Sequence, residues 1–143
     1  SIPCRTMSSM PGKASMDLIL DTHALVWLLI GDGRLGPRQV EIIEDPASRV
    51  FISAVTGYEI ANKFRTGKMP EAGPVLELMK SEFAAYDWLH LPVTLQHAQH
   101  AGGLSGEHRD PFDRLLAAQA IIGSCRVMTV DPAFKAFGVE VVW

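Results

Sequence analysis

The chain has 143 residues, enough for one domain with a full core, and its share of 48% apolar and 20% charged residues is that of a globular protein. A formal net charge of -3, from 13 basic and 16 acidic residues, excludes a protein that coats nucleic acid through overall positive potential, while leaving room for a local basic patch. No apolar run reaches the roughly 20 residues that span a bilayer and no signal core follows the N-terminus, so a cytoplasmic protein without membrane attachment is expected.

Residues 1–15, SIPCRTMSSMPGKAS, are rich in Ser, Pro and Gly and lack period; they read as a disordered leader or upstream extension, which leaves 16–143 as the folded domain. Cys4 and Cys125 are too few for a disulfide framework, and Cys125, in the apolar stretch IIGSCRVMTV, reads as a buried thiol. The run DLILD predicts a first strand ending at Asp21, and THALVWLLIG a helix that Gly31 terminates. Pro37 opens a second, amphipathic helix with Val40 and Ile43 inward. RVFIS is a second strand; the helix after it carries Glu59, with Tyr58, Ile60, Ala61 and Phe64 as most of its apolar set.

Pro74 is expected to start the next helix, with Val75, Leu78, Met79 and Phe83 as its buried stripe, and LHLPV is a third strand. Thr94 caps a polar helix whose His97 and His100 read as surface residues. DPFDRLLAAQAIIG is the clearest helix, with Asp110 as N-cap, Pro111 at its first position and Asp113 two residues on. RVMTV and VEVVW are the last strands, separated by a short helix from Asp131-Pro132. Strands alternating with helices predict a three-layer α/β/α fold around a mostly parallel five-stranded sheet, joined by right-handed crossovers.

Four acids, Asp21, Glu59, Asp113 and Asp131, stand at strand ends or in the helix starts that adjoin them, the edge where open α/β sheets gather ligand groups. Singly, each has an ordinary explanation. Asp110 and Asp131 precede Pro as helix caps do, Asp113 answers the dipole of its helix, and Glu59 suits any solvated helix face. Together they predict a cation. Two carboxylates about 4 Å apart repel by about 4 kcal/mol at an effective dielectric near 20, so a cluster protonates, separates or binds metal. Ionised oxygen ligands suit Mg²⁺ or Mn²⁺, which activates water and neutralises charge at a phosphate. Thr22 and Thr129, beside the acids, are auxiliary candidates for holding the carboxylates.

A haloacid dehalogenase-like phosphotransferase would place a second Asp where the chain has Asp21-Thr22-His23, and a receiver-type module would carry a Lys late in the sheet. Both patterns are incomplete.

From about residue 16 to 143 the chain resembles a PIN domain, and more narrowly the VapC-type toxins of bacterial toxin-antitoxin pairs. The resemblance rests on LILDTHALVW, ISAVTGYEIANKFRTGKM, TVDPAF and, most specifically, HRDPFDRLLAAQA. It implies that Asp21, Glu59, Asp113 and Asp131 form a catalytic Mg²⁺ or Mn²⁺ pocket, with Asp110 as a capping or supporting acid. It also implies endoribonuclease activity on structured RNA such as tRNA or rRNA, a homodimer, inhibition by a small VapB-type antitoxin, and operator DNA contacted only through that antitoxin. Lys63, Arg65, Arg109 and Arg114, which flank the acids, are the expected RNA contacts. A PIN-like RNA-binding or RNA-processing protein without a toxin role is the alternative.

Overall fold

The computed structural model describes residues 16–143, and the leader expected over residues 1–15 lies outside the described residues. Five strands, β1 (Met16–Leu20), β2 (Ser48–Ser53), β3 (Leu89–Leu91), β4 (Arg126–Met128) and β5 (Val141–Val142), form one sheet in the order β3-β2-β1-β4-β5. Every pairing is parallel, so the sheet is parallel throughout rather than mostly so. β1 lies at the centre, with Leu18 beside Val50 and Ile19 beside Val127. Its side chains alternate between two cores. Leu18 and Leu20 pack with Val50, Ile52 and Met128 on one face, and Ile19 packs with Phe51 and Val127 on the other.

Helices α1 (Thr22–Ile30), α2 (Pro37–Glu44) and α4 (Ala72–Ala85) supply the first face; α6 (Pro111–Gly123) and α7 (Ala133–Ala136) supply the second. α3 (Ala54–Arg65) touches both, and α5 (Leu95–Gly103) packs on α6. Gly31 ends α1 in the left-handed conformation at φ 69°, where a side chain would be strained. No helix among the described residues is long and apolar enough to cross a membrane.

Several expectations are corrected. α4 begins at Ala72, two residues before Pro74, because Pro fits the first turn of a helix, where its missing N–H is no loss. In α3 only Ile60 of the expected apolar set is buried; Tyr58 is 62% and Phe64 54% exposed. At about 100° per residue, Val55, Thr56 and Ile60 define an inward arc that excludes Tyr58 and Ala61 and contains Glu59 and Lys63. Tyr58 instead rests against Phe112 of α6, ring centroids 5.6 Å apart. Cys125 is buried as expected, but it is disulfide-bonded rather than a thiol.

His97 is buried, 4% exposed, while His100 lies on the surface. The Thr94 N–H donates to His97 Nδ1 at 3.0 Å and the His97 N–H donates to Thr94 Oγ1 at 3.1 Å, a reciprocal cap that needs a neutral ring. Burial holds the imidazole below its ordinary value of 6.5. A lowered histidine favours the folded state fully above pH 6.5, and that contribution is lost as pH falls below it. Thermal melts between pH 7.5 and 5 are therefore expected to show a fall in Tm that is shallower in His97→Gln, since Gln can cap but does not titrate. Parallel slopes would refute this.

Gln119, wholly buried in α6, fixes that helix against the carboxyl edge of the sheet. The Ser53 hydroxyl at the end of β2 donates to Gln119 Oε1 at 2.6 Å, and Gln119 Nε2 donates to the carbonyls of Leu91 at 3.4 Å and Pro92 at 3.2 Å. Ser53 also accepts the Val55 N–H at 3.0 Å and so caps α3. One buried network thus sets α3 and α6, the helices that carry Glu59 and Asp113.

Candidate active site

Asp21 is the residue after β1. Its N–H donates to the Met128 carbonyl of β4 at 3.2 Å, and its carboxylate accepts the Ala24 N–H at 2.8 Å as the N-cap of α1. The side chain is 6% exposed. Burial pushes its carboxyl above the ordinary value of 3.8; the Thr129 hydroxyl, the Ala24 N–H and His23 oppose that rise, and the charge of Asp131 adds to it. Thr129 serves two acids, because its oxygen also accepts the Asp131 N–H at 3.0 Å.

Asp131, beyond β4, accepts the Ala133 N–H at 2.9 Å at the entry to α7. Asp113 lies in the first turn of α6, where its Oδ2 meets His108 Nε2 at 2.8 Å. Burial raises its carboxyl above 3.8, the His108 hydrogen bond lowers it, and the charges of Asp110 and Asp131 raise it again. Asp110 is the N-cap of α6, accepting the Phe112 N–H at 2.9 Å.

Glu59 reaches the same edge from the inward arc of α3. Thr22 Oγ1 donates to its Oε1 at 2.6 Å, and Lys63 Nζ lies 2.9 Å from its Oε2. The charge of Asp131 thus reaches both Asp21 and Asp113, and Glu59 is tied to Thr22, the residue beside Asp21. Among the described residues, no three acid, His or Cys side chains converge as a closed cation cage. The donor chemistry nevertheless fits a hard divalent ion. The acids offer oxygen alone, and Asp21 and Asp113 are buried enough to be pushed upward by desolvation and then further by neighbouring acids.

The basic residues diverge. Arg109 is exposed and makes no hydrogen bond or ion pair among the described residues, while Arg65 is exposed and donates to Asn62 Oδ1 at 2.7 Å. Lys63 is held on Glu59. Arg114 turns inward: its Nε donates to the Ala101 carbonyl and its Nη1 to that of His108, both at 3.0 Å, its Nη2 donates to Leu104, and its guanidinium lies 5.6 Å from the centre of the Phe137 ring. Sequence reasoning missed His108 and the Lys63–Glu59 pair. The five-residue offset of His108 from Asp113 gave no signal without the loop conformation, whereas the Glu59–Lys63 spacing was visible as an i,i+4 pair.

A parallel sheet with acids at its carboxyl edge places them where open α/β folds bind their ligands. The PIN domain family model matches residues 18–140, and the chain belongs to that family, whose members are nucleases. This membership replaces the haloacid dehalogenase and receiver alternatives. Among solved structures, the chain is similar to VapBC2 from Rickettsia felis bound to a promoter DNA fragment, with a TM-score of 0.67, 14% identity, and 87% of this chain and 96% of that chain covered. It is also similar to FitAcB from Neisseria gonorrhoeae, with a TM-score of 0.60, 22% identity and coverage of 88% and 96%. FitAB bound to an IR36 DNA fragment gives a TM-score of 0.61, 23% identity and coverage of 87% and 93%. A search of curated proteins finds no match.

Proposed function

We propose that this chain is the VapC-type toxin of a toxin-antitoxin pair, an endoribonuclease that cuts structured RNA such as tRNA or rRNA with Mg²⁺ or Mn²⁺. The observation that carries the reading is that Asp131 lies close enough to raise both Asp21 and Asp113, in a PIN domain chain. Its structural neighbours are toxin-antitoxin complexes, which favours a toxin over a stand-alone RNA-processing protein. Asp21, Glu59, Asp113 and Asp131 would hold the ion. When bound, it lowers the pKa of water and neutralises charge at the scissile phosphate.

The chain's own groups prepare that site. The hydroxyls of Thr22 and Thr129 orient Glu59 and Asp21, Asp110 keeps the first turn of α6 wound beneath Asp113, and His108 fixes the Asp113 carboxylate. Arg109 and Arg65, exposed near the acids in sequence, are assigned to RNA phosphates, and Arg114 to the loop that presents Arg109. A homodimer, a VapB-type antitoxin, and operator DNA reached through that antitoxin complete the reading.

The test is cleavage of bulk tRNA and rRNA by the purified protein with Mg²⁺, Mn²⁺ or EDTA. Glu59→Gln and Asp113→Asn are each expected to lose roughly a hundredfold or more in rate, the scale set by a few kcal/mol of charge stabilisation. Undiminished cleavage in EDTA, or in both variants, would reject the assignment.

A further inference from the structure

Lys63 is four residues after Glu59, a spacing that on a solvated helix face makes a weak pair. Here the pair faces inward. Both residues lie within the arc marked by Val55, Thr56 and Ile60, and their side chains are only 27% and 12% exposed. Lys63 Nζ stands 2.9 Å from Glu59 Oε2, while Glu59 Oε1 takes the Thr22 hydroxyl at 2.6 Å, so each carboxylate oxygen already has a donor. Each oxygen keeps a further lone pair for a metal, but a divalent ion on Glu59 would stand within a few Å of the Lys63 ammonium, and the repulsion between the two cations drives Lys63 away. The four-carbon lysine stem, with its flexible point charge, allows the ammonium to swing from one anion to another nearby.

We infer that Lys63 is the resident counter-ion of the metal-free site, yielding Glu59 when a divalent ion binds and then contacting an RNA phosphate at the same edge. This rests on the metal reading above and gives Lys63 a role in both states. The carboxylate is thereby held in place before the ion arrives, and the positive charge released from it stays where substrate anions approach. Lys63 is a positioning residue in the metal-free protein and a phosphate contact in the loaded one.

The experiment measures Mn²⁺ affinity by calorimetry on RNA-free wild type, Lys63→Met, Lys63→Gln and Lys63→Arg, then bulk tRNA binding with Ca²⁺ in place of Mn²⁺. Removing a competing unit charge a few Å from the ion is expected to tighten Mn²⁺ binding roughly tenfold in Lys63→Met and Lys63→Gln. The same variants are expected to bind tRNA more weakly, with a log–log salt slope smaller by about one. Lys63→Arg, which keeps the charge, should follow wild type in Mn²⁺. Opposite movements of metal and RNA affinity are not what loss of a structural helix pair produces. Mn²⁺ affinity that is unchanged or weaker in both neutral variants overturns the inference, and an unaltered salt slope overturns its phosphate contact. Asp21→Asn serves as the control: Mn²⁺ binding equal to wild type there would remove the metal reading itself, whereas an Asp21-dependent ion indifferent to Lys63 removes this inference alone.

Discussion

Asp21→Asn is expected to cut RNA cleavage by roughly a hundredfold or more while raising the melting temperature of the metal-free protein at pH 7. The two effects have one origin. Asp21 is buried, and desolvation followed by the charge of Asp131 outweighs the help of Thr129, Ala24 and His23. A carboxyl raised in the folded state destabilises that state while it is ionised; the cost falls as pH drops through the folded value and is gone below the unfolded 3.8. Asn removes the charge and still caps α1. Melts in EDTA at pH 7 and pH 4 should therefore show the advantage of Asn shrinking with acidity. Stabilisation by saturating Mn²⁺, about 2.7 kcal/mol at a hundred times Kd, should be absent from the variant. A lower Tm for Asp21→Asn at pH 7 would show that the carboxylate is a net structural asset.

Arg114→Met is expected to give the largest loss of stability, about 2–3 kcal/mol or a fall of roughly 6–12 °C in Tm. Met keeps much of the stem but removes the guanidinium donors from the carbonyls of Ala101, Leu104 and His108, of which Ala101 keeps only the Leu104 N–H at 3.4 Å. Those carbonyls close the end of α5 and the segment leading to α6, and that segment carries His108 to Asp113. Hydrogen exchange should speed up across residues 102–110 while β1 and β4 keep their protection. Protection unaltered over that segment would refute the role.

The sheet and most helix starts were legible in the sequence because their signals are local. Apolar runs of strand length end at Asp21 and Ser53, Pro111 follows a capping Asp110, and Gly31 accepts a conformation that stops α1. Burial on α3 was misread for the opposite reason. Its aromatic residues, Tyr58 and Phe64, look like core, yet the helix phase is set by Thr56, Ile60 and the contact of Glu59 with Thr22 across two elements. His97 was likewise judged by its polarity, when its neighbour Thr94 had supplied the partners that make its burial tolerable. In the candidate site the acids could be picked out by position along the chain. Of their donors, Thr129 is marked by its place beside the acids and Lys63 by its spacing from Glu59, whereas His108 acts through loop shape, which no motif spells out.

The strand order has a consequence for synthesis. β4 lies beside β1 at the centre of the sheet, although the two strands are separated by most of the domain. A chain emerging from the ribosome can pair β1 with β2 early, and so bring Asp21 near Glu59, but Asp113 and Asp131 come last and Asp131 gains its place only once β4 has docked. A nascent chain thus carries a half-built acidic edge from Glu59 until Asp113 and Asp131 have been made, and the candidate centre is complete only once β4 has docked beside β1.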